Sequence, residues 1–391
     1  VTAPHPRLRR LALTRFRNYA ELTWTPAARL VVVHGPNGSG KTNLLEAASL
    51  LSPGRGLRAA RIAEFARDGD ARAGWAVAGR FDTREGPLDI ATGVGATQGG
   101  PGDAGDRRVF RLNGAAPRSQ AEITGKLSMV WLTPQMDRLF QAGAGARRRF
   151  LDRLVLALDP GHARQVAAFE TAASGRNRLL LGGGDPAWLA SVEDSMARHA
   201  VAVSAARRRL TQRLTQALAD GAAAPFPTTR LALADPIAER LEREPALATE
   251  EWLRGVLRDA RARDAASGGA VAGAHRADLL MADPRTGRPG GESSTGQQKA
   301  MLIGIVLGHA ALIAGLRGVA PLLLLDEPAV HLDSARREAL FEALTRLPSQ
   351  ALLTGTDGAV FAPLHPHAQG FRLDDGGPRP DPAFRPTDQA P

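Results

Sequence analysis

The chain of 391 residues contains no cysteine. Disulfides and thiolate metal sites are therefore excluded, which suits a reducing cytosol. Aromatic residues are only 5% of the chain, with a single tyrosine. A core must then rest on Leu, Val, Ile and Ala, for which a hydrophobic content of 43% is enough. Lysine is scarce too: Lys41, Lys126 and Lys299 are the only three, and arginine carries the positive charge. No stretch approaches the roughly 20 apolar residues of a membrane span. The most apolar windows, Met301–Leu316 and Val319–Leu325, are broken by Gly304, Gly308, His309 and Arg317 and read as a buried helix and a buried strand. The first residues lack the apolar core of a signal peptide. The expectation is a cytoplasmic, nucleoid-associated protein with no membrane partner.

What is present begins with charge. A net charge of +10 and a pI of about 11.1 favour a polyanionic partner, since fixed positive charge attracts phosphate backbones. An arginine- and alanine-rich composition imposed by a GC-rich genome explains the same numbers. The length predicts two domains, or one with a large insertion.

The sharpest local signal is "VVVHGPNGSGKTNLLEAASLL". Gly35, Gly40, Lys41 and Thr42 fit G-x-x-x-x-G-K-[ST], between a β-branched run and a stretch of helix formers. Such a loop turns backbone N–H groups toward an anion, and the helix N-terminus adds its positive dipole end. The nucleotide-binding set is Gly35, Pro36, Asn37, Gly38, Ser39, Gly40, Lys41, Thr42 and Asn43. Lys41 is expected to reach the β- and γ-phosphates of ATP, and Thr42 to give its hydroxyl to Mg²⁺.

"PLLLLDEP" (321–328) reads as a buried parallel strand with two acids at its carboxyl end, where ligand chemistry belongs in such a sheet. Asp326 would hold the Mg²⁺ shell and Glu327 would polarise the attacking water. Acids at a helix start also suit its dipole without any chemistry. Upstream, "GGESSTGQQKAMLIGIVLGHAALI" places a small-residue turn before a long apolar helix. Ser294 and Gly296 there make a second anion site. Alone it reads as an ordinary serine cap; beside the first loop it suggests service to the γ-phosphate of another subunit.

Between these motifs, residues 8–30 read as an edge hairpin feeding the Val31 strand. Residues 93–106 read as a loop, and Val109–Leu112 with Asn113-Gly114 as another hairpin. Leu189, Val192, Met196, Val203, Leu210, Leu214 and Leu218 fall at helical spacing and predict one long amphipathic helix. Arg207, Arg208, Arg209 and Arg213 on it are either a solvated face or DNA contacts. Residues 223–227 and Pro236 punctuate the helical region, 260–273 reads as a connection, and the tail beyond Gly370 reads as disordered.

These stretches, in this order, resemble an ABC-type ATPase: Walker A at Gly35–Thr42, a signature turn at Ser293–Gln297, Walker B at Leu322–Glu327, a D-loop aspartate at Asp333, and Gln135 where the Q-loop glutamine, a further Mg²⁺ contact, belongs. "LALTRFRNYAELTW", "GPNGSGKTNLLEAASLLSPGRGLR", "LTPQMDRLF", "RRRFLDRLV", "AGAHRADL", "SSTGQQKA" and "LLLLDEPAVHLD" together resemble the RecF family of recombination-mediator ATPases over nearly the whole chain. The resemblance implies an α/β fold: an ABC/SMC-like P-loop ATPase head with an inserted helical lobe and no long coiled coil. Lobe I would comprise 1–128 and 301–391, and lobe II 129–300. It also implies slow, DNA-stimulated ATP hydrolysis with Glu327 catalytic, ATP-dependent homodimerisation with Ser294, Gly296 and Gln297 acting in trans, binding to double-stranded and gapped DNA, and work with RecO and RecR to load RecA. The sequence departs from the family at Ala144, Ala274, Ala277 and Thr295, and "LLTGTDG" places Thr356 and Asp357 where ABC proteins carry a switch histidine. The rival readings are a transporter's nucleotide-binding subunit, which would carry that histidine, and an SMC or RecN-type structural ATPase, which would carry far longer helical arms.

Overall fold

The computed structural model describes residues 5–67, 73–95, 108–374 and 377–386. The chain divides into two compact units, Val1–Asp137 with Gly221–Pro227 and Thr295–Pro391, and Arg138–Asp220 with Thr228–Ser294. The first unit opens with β1 (Arg7–Phe16), β2 (Tyr19–Trp24), β3 (Leu30–His34), α1 (Lys41–Leu50), β4 (Trp75–Thr83), β5 (Gly86–Val94), β6 (Val109–Leu112), α2 (Gln120–Lys126) and β7 (Met129–Leu132). The second contains α3 (Ala144–Leu158), α4 (His162–Leu181), α5 (Pro186–Ala219), β8 (Arg230–Ala234), α6 (Pro236–Arg240), α7 (Ala246–Asp259), α8 (Arg261–Ser267) and β9 (Asp278–Ala282). The chain then returns to the first unit with α9 (Thr295–Arg317), β10 (Leu322–Leu325), α10 (Ser334–Arg346), β11 (Ala351–Gly355), β12 (Ala368–Asp374) and β13 (Gly377–Pro380).

The first unit holds two sheets. One has the order β13-β12-β3-β11-β10-β7 and is parallel except for β13. Its central strands β3 and β10 and its edge strand β7 are buried on both faces, which is why "LVVV", "LLLL" and "MVWL" are continuous apolar runs rather than alternating ones. The other sheet, β2-β1-β4-β5-β6, is antiparallel. In β4 buried and exposed residues alternate strictly over "WAVAGRF", the mark of a sheet with one covered face. Leu44, Leu45 and Leu50 of α1 share one core cluster with Leu11, Val77 and Phe81 of this sheet and with Val31, Leu322 and Leu324 of the other. Burial of each such leucine stabilises by about 1.5–3 kcal/mol, so α1 is held on two sides.

The edge hairpin expected within residues 8–30 forms as β1–β2, with β2 at the edge of the antiparallel sheet, and the chain runs on into β3. Other expectations change. β7 lies in the parallel sheet beside β10, so the expected lobe II start at 129 moves to 138, and its end moves from 300 to 294. Residues 260–273 include the helix α8. The tail beyond Gly370 is ordered as far as described: Phe371–Asp374 pairs antiparallel with Gly377–Pro380, and Phe371, Leu373 and Phe384 are buried. A Cβ on Gly370 would lie 2.0 Å from the Phe384 ring. These apolar anchors outweigh the proline and glycine around them. Of the loop expected at 93–106, residues 96–106 lie outside the described residues.

In the second unit the long helix is α5, 34 residues, capped by Asp185, which accepts from Ala187 N (2.7 Å) and Trp188 N (3.1 Å). Leu189, Met196, Val203, Leu210, Leu214 and Leu218 are buried as their spacing requires. A buried polar knot fastens the helices. Arg176 of α4 donates to Glu193 of α5 (2.9 Å), Asp264 of α8 (2.7 Å) and Leu257 O of α7 (2.7 Å). α9 is long and apolar enough to cross a membrane by length and composition, and 72% of its apolar window is buried inside the protein.

Candidate nucleotide site

β3 delivers the chain into the glycine loop, and three glycines there have separate reasons. A Cβ on Gly35 would lie 2.3 Å from Leu373 O of β12. Gly38 has φ 84° and Gly40 φ 101°, both left-handed. α1 starts without a side-chain cap and without an acid in its first turn, so its first N–H groups and dipole are directed at an anion. Pro36, Asn37 and Gly38 are exposed, and Ser39 is buried. Asn43 joins a small cluster with Asn18 (2.8 Å) and Arg58 (2.7 Å).

Lys41 is 5% exposed. Its Nζ donates to the loop carbonyls Gly35 O (2.8 Å) and Pro36 O (2.7 Å). Burial lowers its pKa, and Glu327 and Asp326 oppose that shift. Thr42 donates its hydroxyl to both oxygens of Asp326, at 3.0 Å each. Residues 284 positions apart in the chain are thus joined because β3 and β10 both flank β11 in the same parallel sheet. Among the described residues no group of three or more His, Cys, Asp or Glu could hold a metal. One hydroxyl and one carboxylate nevertheless fit Mg²⁺, which keeps waters and phosphate oxygens for the rest of its octahedron.

Two side chains that the sequence reading passed over complete the cluster. Thr354 of β11 donates to Asp326 Oδ1 (2.7 Å) and accepts from Glu327 N (3.0 Å). Lys299 of α9, 2% exposed, reaches Asp137 Oδ2 (3.2 Å) and Glu327 O (3.2 Å). Glu327 has φ 51°, a left-handed conformation that costs a non-glycine residue about 1–2 kcal/mol. Its peptide N–H is held by Thr354 and its carbonyl by Lys299. The signal for Lys299 was its rarity: a lysine kept in a chain that otherwise uses arginine. Thr354 lies two residues before Thr356, and Asp357 caps the following turn through Ala359 N (2.9 Å). His34, at the end of β3, pairs with Asp381 (2.7 Å).

The remaining site residues do not all converge. Gln135 is exposed on the 3-10 turn Pro134–Arg138 and is not among the partners of Thr42 or Asp326. Gly296, in the first turn of α9, belongs to a second cluster: its Cβ would meet Arg336 Nη1 at 3.1 Å and His331 O at 3.4 Å. Asp333 caps α10 through Arg336 N (2.8 Å) and pairs with the Arg336 guanidinium (3.2 Å). Ser294 and Gln297 are exposed. Arg207 is not a DNA contact. It is 4% exposed and bidentate to Asp152 (2.8 Å twice), because its position on α5 faces α3. Arg208 is half-buried, whereas Arg209 and Arg213 are exposed at i, i+4.

The chain matches the RecF/RecN/SMC N terminal domain family over residues 7–364. It is 47% identical over 377 residues to the DNA replication and repair protein RecF of Mesorhizobium japonicum, covering 95% of this chain and 98% of that one. It is 46% identical over 370 residues to the RecF of Rhizobium rhizogenes, covering 94% and 97%. Its fold is similar to that of the recombination mediator protein RecF-ATPrS of the RecFOR pathway, with a TM-score of 0.82 at 21% identity over 97% of this chain and 99% of that one. An Smc head bound to the C-winged helix domain of ScpA gives 0.53 at 16% identity, over 96% of each chain. This chain belongs to the RecF family of DNA replication and repair proteins, with an ATPase head of the RecF/SMC type.

Proposed function

We propose that this protein is an ATP-driven switch of recombinational repair, closing as a homodimer on double-stranded or gapped DNA. The observation that carries the reading is the continuous hydrogen-bonded chain Thr42–Asp326–Thr354–Glu327, with Lys41 beside it. Lys41 meets the β- and γ-phosphates of ATP, and the α1 amides cradle them. Thr42 and Asp326 hold Mg²⁺, which neutralises charge on the phosphates when bound. Glu327 orients the attacking water. Hydrolysis is slow and DNA-stimulated, as suits a switch. Ser294, Gly296 and Gln297 serve the nucleotide of the facing subunit, and Asp333 lines the same junction. The RecFOR pathway named for the structural relative suits a place with RecO and RecR, and we set the switch upstream of RecA loading at gaps. The missing ABC switch histidine and the lack of a long coiled coil weigh against the transporter and structural-ATPase readings.

Ser294→Arg tests the sandwich by placing a bulky cation at the signature turn. Light scattering with ATP should show wild type as a dimer and the variant as a monomer that still binds ATP. Anisotropy should show that ATP raises duplex affinity only for wild type. A variant that dimerises and binds DNA like wild type refutes the reading.

A further inference from the structure

Beyond the end of α1, in the first unit, the chain encloses an open cleft of about 710 Å³. Gly54, Arg55, Arg61, Phe65, Arg108 and Phe110 are among the residues that line it. Three of these are arginines, and none of the described lining residues is acidic. Arg108 is the fixed member. It donates to Leu50 O (2.9 Å), Ser52 O (2.9 Å), Gly54 O (2.6 Å) and Thr92 Oγ1 (2.9 Å), and its guanidinium lies 4.3 Å over the Phe110 ring. Every one of these hydrogen-bond acceptors is neutral. The carbonyls at the end of α1 offer only the partial charge of a helix terminus. Arg108 is therefore a half-buried full charge whose bonds among the described residues include no carboxylate, unlike Arg147 and Arg207, which each hold a bidentate aspartate. Burial lowers Arg108 to about 10, so it stays charged at neutral pH. Arg55 and Arg61 stand exposed at the same cleft. A concave site with one pre-fixed guanidinium, two exposed ones and apolar walls attracts a phosphate group more strongly than a flat surface does, because low-dielectric walls focus the field.

We propose that this cleft takes the phosphodiester backbone of a DNA strand, with Arg55 and Arg61 closing on the phosphates and Arg108 fixing the wall behind them. The inference rests on the DNA-binding reading above and gives it a location away from Arg207. It differs from the nucleotide site, which lies at the other end of α1.

The test is Arg55→Glu/Arg61→Glu, two exposed positions, in the full chain with ATP. Anisotropy on a gapped duplex is measured from 50 to 200 mM salt, alongside ATP affinity and light scattering. ATP affinity and dimerisation should be unchanged. DNA affinity should fall at least tenfold, and the slope of log K against log salt should shrink by about 1.8, the value for two lost phosphate contacts. If wild type binds DNA and the variant binds with equal affinity and slope, the cleft assignment is overturned while the DNA-binding reading stands. If wild type binds no DNA with ATP, both fall. A third arm titrates inorganic phosphate. Saturable phosphate binding lost in the variant, with DNA binding unaltered, makes the cleft a free-anion site and overturns the strand assignment.

Discussion

Lys299→Met isolates how Glu327, proposed to orient the attacking water, is held. The substitution keeps an unbranched side chain one atom shorter and removes one charge in a pocket where Lys299 is 2% exposed. Two interactions go, to Asp137 Oδ2 and to Glu327 O, both at 3.2 Å. A hydrogen bond to a charged group contributes about 1.5–3 kcal/mol. Unpairing a buried charge costs about 3–5 kcal/mol, but Asp137 keeps 18% of its side chain in solvent, so water offsets part of it. A loss of about 2–3 kcal/mol follows, or about 4–12 °C in melting temperature for a unit of this size. The functional effect is separate. Glu327 adopts φ 51° with its N–H and carbonyl both anchored. With one anchor gone the carboxylate shifts, and a displacement of about 1 Å costs roughly a hundredfold in rate. ATPase kinetics at a temperature where the variant is fully folded should show kcat down about 10–100-fold and ATP affinity within about threefold of wild type. Lys299→Arg, which keeps the charge, should recover most of the rate. Unchanged kcat in folded Lys299→Met would falsify the positioning argument; a lost affinity with normal kcat would place Lys299 in nucleotide binding instead.

Lys41→Ala removes the buried ammonium at the glycine loop and should abolish ATP binding by calorimetry, with the circular dichroism spectrum retained. Glu327→Gln keeps the shape but not the base, so ATP should bind and persist in a stable dimer while steady-state hydrolysis falls about a hundredfold or more. Arg207→Met should destabilise the helical unit by about 3–5 kcal/mol, because Asp152 loses its bidentate partner, whereas Arg209→Glu/Arg213→Glu should leave melting unchanged. Asp152 adds a pH dependence. Burial pushes its pKa up, but the bonds from His162 and Arg207 outweigh that and hold it below the usual range. Its contribution to stability is therefore present above about pH 4 and lost as the pH falls through the folded value; wild type should lose more melting temperature than Arg207→Met between pH 5 and pH 3.

The phosphate loop, the acid-ended strand, the long amphipathic α5 and the apolar α9 are legible in the amino-acid sequence alone. Each is a local pattern: fixed spacing around Gly35 and Lys41, a continuous apolar run before Asp326, a helical period from Leu189 to Leu218. Local patterns do not say which strands share a sheet, so a lobe boundary at 129 separates β7 from its neighbour β10. Nor do they reveal which charges are buried. Arg207 and Arg209 are indistinguishable on a one-dimensional reading, yet a rotation of 200° about the α5 axis points one at Asp152 and the other at solvent. The roles of Thr354 and Lys299 are hidden for the same reason, since their partners Asp326, Asp137 and Glu327 lie 27 to 162 residues away, although the rarity of lysine marks Lys299 itself. Only the stacking of β3, β11 and β10 as parallel neighbours, with their carboxyl ends aligned, brings Thr42, Thr354 and Asp326 within hydrogen-bonding distance. Register in a parallel sheet is set by long-range packing of both faces, and that information is spread over the whole chain rather than written at any one motif.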